Sequence, residues 1–314
     1  MVSAMKIRCI SEMKINFRFF CISLDLQYLC KDEVTGSTEV EGMTPPIPCV
    51  HPKQTTMSKI ALIGAGNLAT NIGKALVHAG HAIVQVYSRT LESATQLAHV
   101  TGGDAITDLR QLVNDADLYL ISVKDSALST LLPVLCKGRE DRLFVHTAGS
   151  IPMDIFRPYA RHYGVIYPMQ TFSKQKEVSF REIPCFIEGS DESSLTLIKA
   201  LCSTLSDRII PLASEDRKYL HLAAVFACNF VNHCYALAAD LVQCHHIPFD
   251  VMLPLIDETA RKVHSLSPEE AQTGPAIRYD KNVILRQEAL LGEDPLAQQI
   301  YSLMSESIHK KCNQ

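Results

Sequence analysis

Gly64, Gly66 and Ala69 stand at the spacing G-x-G-x-x-A, where each small residue answers a separate steric demand. Gly64 permits a tight turn, Gly66 leaves out the side chain that would block a pyrophosphate, and Ala69 lets a helix pack closely on the preceding strand. An apolar run over 60–63 leads into the turn, and Ile72, Ala75, Leu76 and Ala79 give the following helix an apolar face. The unpaired N–H groups of Asn67, Leu68 and Ala69 at that helix start suit an anion, which the helix dipole also favours. A dinucleotide is the expected ligand.

Tyr87-Ser88-Arg89-Thr90, at the end of the second apolar run, bears on which dinucleotide it is. A bare ribose diol is ordinarily met there by Asp or Glu, which would repel a 2′-phosphate, whereas a guanidinium pairs with one bidentately. One cation and two hydroxyls at Ser88, Arg89 and Thr90 predict NADP(H) over NAD(H). Ser122-Val123-Lys124 follows a fourth strand, at the edge where ligands bind in open α/β sheets. Val123 is expected to border the nicotinamide-side ribose, and Lys124 reads as a solvated loop residue. His146 ends the fifth strand at the same edge, placed either to hydrogen-bond or protonate a substrate, or to cap the next loop. Gln170 and Ser173, in Pro168-Met-Gln-Thr-Phe-Ser173, read as polar contacts for that substrate or as turn residues.

The facing wall would come from one long helix over 214–242. Its stretch 219–239 contains no Asp, Glu, Lys or Arg. Wound as a straight α-helix, it places Asn232 about 20° from His221 around the axis and Asn229 about 80° away. Polar side chains buried on such a helix need partners, either a polar ligand or interhelical hydrogen bonds. The site reading is preferred for His221 and the interhelical one for His233, which lies well around the helix. The stretch is long enough to cross a membrane, but His221, Asn229, Asn232 and His233 would each be costly in lipid. A helix buried on all sides, at a domain or dimer interface, is expected instead.

These groups need a scaffold, and the patterning supplies one. Strands over 60–63, 81–87, 104–106, 117–123 and 143–146 alternate with helices over 68–78, 91–99 and 127–135. That alternation predicts an α/β fold with a doubly wound parallel sheet, a Rossmann domain, which 165–167, 185–187 and 208–211 can extend. Strand patterns then cease, and helices are expected over 214–242, 248–265, 280–291 and 295–309. The expected organisation is an N-terminal extension (1–56), an NADP-binding Rossmann domain (57–212) and an all-α substrate and dimerisation domain (213–314). Lys6, Arg8, Glu12, Lys14 and Arg18 interrupt the apolar residues of the extension, so it lacks the apolar run of a signal peptide. It ends in a proline-rich stretch before Met57, so Met57 is the expected natural start and 1–56 a disordered or mis-assigned extension.

Hydrophobic residues make up 47% of the chain and charged ones 20%, the balance of a soluble globular protein. A net charge of −4 provides no basic field for nucleic acid. None of the 11 cysteines forms a CxxC pair, so reduced thiols in a cytoplasmic protein are expected. Cys244-His245-His246 is poorly spaced for one tetrahedral metal site, and no metal is expected.

Taken together, GAGNLA with Ser88-Arg89-Thr90, His146-Thr-Ala-Gly-Ser150, Tyr167-Pro-Met-Gln-Thr-Phe-Ser173, His221-Leu-Ala-Ala-Val-Phe-Ala-Cys-Asn229 and Thr273-Gly-Pro-Ala-Ile-Arg278-Tyr-Asp280 resemble one bacterial family. Its members are oxidoreductases that join a Rossmann-like domain to a helical domain of unknown function. That helical domain is similar to the C-terminal domain of 6-phosphogluconate dehydrogenase. More distant relatives are pyrroline-5-carboxylate reductase, the deazaflavin-dependent NADP reductases and the β-hydroxyacid dehydrogenases. The resemblance implies a nicotinamide bound at the domain cleft and a homodimer formed through the helical domains. Two departures stand out. Tyr167-Pro168 replaces the His-Pro common in the family, which weakens a proton-transfer role at that position. The stretch 226–232 also lacks the catalytic lysine of the β-hydroxyacid dehydrogenases. Arg278 and Asp280 read as substrate anchors or as an interhelical ion pair. The leading expectation is an NADP(H)-dependent oxidoreductase for a small carbonyl, imine or alcohol, with His146 or His221 as acid or base and Asn229 and Arg278 orienting substrate. The alternative is a non-catalytic NADP(H)-sensing module whose helical domain binds a protein partner.

Overall fold

The computed structural model describes residues 57–312, and the expected extension over 1–56 lies outside the described residues. Eight strands, β1 (Lys59–Ile63), β2 (Ala82–Tyr87), β3 (Asp104–Ile106), β4 (Leu118–Ile121), β5 (Leu143–His146), β6 (His162–Pro168), β7 (Cys185–Gly189) and β8 (Ile209–Pro211), form one sheet. Their order is β3-β2-β1-β4-β5-β6-β7-β8, so the winding reverses between β1 and β4. Ile63 lies opposite Ile121, Ile121 opposite His146, and His146 opposite Val165. The central strands therefore share a carboxyl edge, and the crevice at the reversal is where such sheets bind ligands.

Helices α1 (Asn67–His78), α2 (Leu91–Thr101) and α3 (Asp125–Leu135) cover the faces as the alternation predicts. Successive strand residues point to opposite faces. Ile60, Leu62, Val145 and Ile166 pack into one apolar layer with Ile72 and Leu76 of α1. Ala61, Ile63, Tyr119 and Phe144 pack into the other with Leu128 and Leu132 of α3 and Phe156. The structure adds α4 (Glu192–Leu205), whose Ile198, Leu201, Cys202 and Leu205 are buried. Asp191 announces it, its carboxylate accepting from the Ser194 N–H at 2.9 Å. β6 and β7 are antiparallel, with Pro168 opposite Cys185. The connection over 169–184 contains no helix to carry the chain back, so β7 begins at the edge where β6 ended.

From Ser214 the chain is helical. α5 (Ser214–Ala224), a π turn at Val225–Phe230 and α6 (Val231–Cys244) make one rod of 31 residues. It is long and apolar enough to cross a membrane by length and composition. Then come α7 (Leu253–Lys262), α8 (Pro268–Ala271), α9 (Pro275–Arg278), α10 (Lys281–Ala289) and α11 (Pro295–Cys312). The rod is not buried on all sides within one chain. Its most apolar stretch contains no buried residue, and α6 and α7 bury none either.

The rod is fixed to the sheet at its first turn. Arg217 is 1% exposed; its guanidinium meets the Glu188 carboxylate at 2.5 Å, the Ile151 carbonyl at 2.6 Å and Ser214 Oγ at 3.0 Å. Ser214 in turn donates its hydroxyl to Glu188 at 2.6 Å and accepts from the Met153 N–H at 3.0 Å. Removing one partner of a buried ion pair leaves the other charge uncompensated, a loss of about 3–5 kcal/mol. Arg217→Ala is expected to lower the unfolding free energy by that amount in urea titrations, and a loss below about 1 kcal/mol would refute the anchoring role.

Candidate functional site

The turn after β1 is built as its glycines require. Gly64 has φ +119°, and a Cβ there would lie 2.0 Å from the Ser122 carbonyl oxygen. Its N–H donates to the Tyr87 carbonyl at 2.8 Å, and the Ser122 N–H donates to the Ile63 carbonyl at 2.8 Å, so both loops are pinned beside the crevice. Gly66 begins α1 with no side-chain cap, and the first turn carries no acid. A Cβ at Gly66 would meet nothing within 4 Å, so the space before these N–H groups is open. That cradle fits a pyrophosphate. Gly66 and Asn67 are exposed, Leu68 is half-buried, and Ala69 is buried in the core behind them. Arg89 is exposed on the loop after β2, beside half-buried Ser88. Thr90 departs from expectation. Its Oγ1 accepts from the Ser93 N–H at 3.4 Å and donates to Ser93 Oγ at 3.0 Å, so this hydroxyl serves the start of α2. Val123 is half-buried and Lys124 exposed, both at the crevice after β4.

His146 is enclosed. Its ring is 1% exposed and stacks on Phe156 with centroids 5.7 Å apart. Nδ1 accepts the Ala148 N–H at 3.1 Å, which leaves the proton on Nε2. Nε2 completes no hydrogen bond among the described residues, although the Pro152 carbonyl favours its proton. Burial, reinforced by the Arg217 charge, pushes its pKa down to about 3. A ring enclosed and neutral in this way holds a loop; it does not exchange protons with a substrate.

Tyr167 takes the position that His146 was expected to fill. Val165, opposite His146, and Tyr167 lie on the same sheet face, but Tyr167 is two residues further along, about 7 Å beyond the edge. Its hydroxyl meets His221 Nδ1 at 3.0 Å, the rings edge to face with centroids 5.9 Å apart. This bond joins the sheet to the rod. Gly149 presses on the same imidazole: a Cβ there would come within 2.5 Å of His221 Nδ1. Desolvation raises the Tyr167 pKa, with Arg217 partly opposing it.

The π turn revises the far wall. A π turn holds one extra residue, which retards the residues after it by about 100°. Asn229, near the end of that turn, takes most of this shift and moves to within about 20° of His221, and Asn232, beyond it, moves away to about 80°, the reverse of the straight-helix expectation. Asn229, Asn232 and His233 are exposed in the single chain. Gln170 is exposed, its Oε1 accepting the Thr171 N–H at 2.8 Å, which is the turn role. The Ser173 carbonyl accepts from buried Asn71 of α1 at 3.0 Å, drawing this loop over the start of the α1 helix. Asp280 caps α10 by accepting the Val283 N–H at 3.4 Å, and it makes no ion pair among the described residues. Arg278 is exposed at the end of α9, which packs on α10 and α11. Sequence reasoning missed Tyr167, Gly149, Asn71 and Arg217. For Tyr167 and Gly149 the signal lay in the two motifs that contain them, 146–150 and 167–173.

Residues 59–148 match the family model described as NADP oxidoreductase, coenzyme F420-dependent, and residues 183–308 match a domain of unknown function (DUF2520). Among solved structures, a putative NADP oxidoreductase from Bacteroides fragilis is 58% identical, with a TM-score of 0.79 over 81% of this chain and 98% of its own. A protein from Thermotoga maritima is 22% identical, with a TM-score of 0.67 over 81% of this chain and 100% of its own. An imine reductase from Myxococcus stipitatus, solved with NADP+, is 16% identical, with a TM-score of 0.58 over 80% of this chain and 93% of its own. The last two share the fold. A comparison with curated proteins gives no match.

The buried state of His146 has a measurable consequence. Unfolded, it titrates near 6.5; folded, near 3, so the unfolded chain holds more protons between these values. Stability therefore falls as pH drops through 6.5 and levels off near 3, by at most about 1.4 kcal/mol per pH unit. Urea unfolding across this range should show a shallower pH slope for His146→Gln than for the native chain. An unchanged slope would contradict the assignment.

Proposed function

The chain belongs to the family that joins an NADP oxidoreductase domain of the F420-dependent type to a DUF2520 domain, and on that premise we propose that it is an NADP(H)-dependent oxidoreductase for a small carbonyl, imine or alcohol. The observation that carries this reading is the open, uncapped helix start at Gly66, set at the reversal of the sheet order. NADP(H), when bound, supplies or accepts the hydride. The chain binds and orients the reactants. Gly64, Gly66, Asn67, Leu68 and Ala69 form the pyrophosphate cradle, Ser88 and Arg89 take the 2′-phosphate, and Val123 borders the nicotinamide-side ribose. Substrate is held by His221, with Asn229 farther along the same helix face. NADPH oxidation screened against small carbonyls and imines tests the reading, and tight NADPH binding without turnover across the panel would favour the sensing module instead. Arg89→Asp is expected to weaken NADPH binding about tenfold or more while sparing NADH, because a guanidinium–phosphate pair is replaced by repulsion. Unchanged NADPH affinity would defeat the cofactor assignment.

We propose that the uncovered rod pairs with a second copy of the chain to form a homodimer. Leu222, Phe226 and Phe230 are 53%, 62% and 50% exposed, and the two phenyl rings pack edge to face on each other. Apolar patches of this kind mark association surfaces. A second copy presents the same face, so the contact closes on a two-fold axis. Light scattering at micromolar concentration should give twice the chain mass of 34.8 kDa, and Phe226→Glu should shift it to the monomer. A native chain that runs as a monomer would sink the proposal.

A further inference from the structure

We propose that Tyr167 and Gly149 are positioning residues for His221, holding its neutral ring as the Nε2–H tautomer with that N–H available to the cleft. The inference rests on the oxidoreductase reading for its chemistry and on the site geometry for its substance. A neutral imidazole has one donor and one acceptor nitrogen, and the partner of one decides which proton the other carries. Nδ1 of His221 is taken on two sides. The Tyr167 hydroxyl lies 3.0 Å from it. The Gly149 Cα lies so close that an added Cβ would sit 2.5 Å from Nδ1, 2.7 Å from Cγ and 3.0 Å from Cβ of His221. Both contacts cover the same edge of the ring and leave Nε2 as the nitrogen free to meet a ligand.

The proposal makes the phenol the donor in this pair. In the proposed tautomer the protonated Tyr167 hydroxyl gives its hydrogen bond to an Nδ1 without a proton, 3.0 Å away, and in the opposite tautomer it would accept from Nδ1–H instead, which is the alternative that the experiment separates. The rings meet at 73°, an edge-to-face arrangement in which the hydroxyl reaches the nitrogen and the aromatic faces do not stack. Fixed this way, His221 offers a hydrogen bond from Nε2–H to a carbonyl oxygen or imine nitrogen, polarising the bond that accepts hydride. The rod cannot rotate to change this alignment, because Arg217, one turn earlier, is held by Glu188 and the Ile151 carbonyl.

The test uses the full chain labelled with nitrogen-15. Long-range proton–nitrogen spectra of the imidazoles, with the His221 signals identified by their loss in His221→Gln, report the tautomer without any cofactor. The native chain is expected to show Nε2–H, and Tyr167→Phe to shift His221 toward Nδ1–H or a mixture. Gly149→Ala should do the same by displacing the ring. In turnover, Tyr167→Phe should lower kcat about tenfold to a hundredfold, as loss of an orienting partner commonly does, with NADPH affinity unchanged. Nδ1–H in the native chain, or a tautomer unmoved in Tyr167→Phe, overturns the inference. The expected tautomer shift without turnover on any carbonyl or imine supports the positioning while removing the oxidoreductase reading.

Discussion

The buried guanidinium of Arg217 is the constraint on which the arrangement of the two halves depends. A charge enclosed to 1% exposure needs partners; Nε completes no hydrogen bond among the described residues, and the other two nitrogens draw theirs from separate parts of the chain. Glu188 belongs to β7, Ile151 to the loop after β5, and Ser214 to the first turn of the rod. Satisfying all three fixes where α5 sits and how it is rotated. His221, one turn further on, then faces Gly149 and Tyr167. Lysine could not substitute, because an ammonium lacks the planar fork that reaches these directions together. The same charge acts on His146 and Tyr167, so the anchor also shapes the electrostatics around both rings.

Two neighbouring strands show how finely depth decides a residue's role. His146 and Tyr167 sit on the same sheet face near the same edge. Level with the edge, His146 is enclosed by Phe156 and tied to its own loop, and burial keeps it neutral. Two residues further, Tyr167 clears that aromatic layer and reaches the rod. The difference is a few ångströms of strand rise, and it encloses one polar ring within the sheet layer and brings the other into contact with the rod.

The cofactor half and the rod are stabilised by different means. The sheet carries apolar layers on both faces, which hold the Gly64 turn, the Ser122 loop and the end of β5 at one level. Such rigidity suits a site that must present N–H groups to an anion without reorganising. The rod is held mainly at its base and offers its apolar length outward, an arrangement suited to a partner surface. Fold likeness to reductases does not by itself assign a reaction, since one scaffold serves many chemistries. The oxidoreductase reading therefore rests on the Gly66 cradle and the crevice around it.

Much of this was legible in the residues. Gly64, Gly66 and Ala69, the eight strands and the helical run after Ser214 follow from spacing and periodicity, which are local rules. Arg89 was expected from the charge that a 2′-phosphate requires, and the structure leaves it exposed on the loop after β2. By contrast, the reversed direction of β7 depended on a connection without a helix. The burial of His146 depended on Phe156, ten residues away in sequence. The exchange of Asn229 for Asn232 on the His221 face came from one π turn that periodicity does not announce. The sequence alone determined which groups could bind a dinucleotide, because a turn and a helix start are made by neighbours in the chain. Only the tertiary structure decided that Tyr167 and Gly149, rather than His146, meet His221, because that contact depends on strand register, side-chain depth and the anchoring of a helix by a distant buried charge.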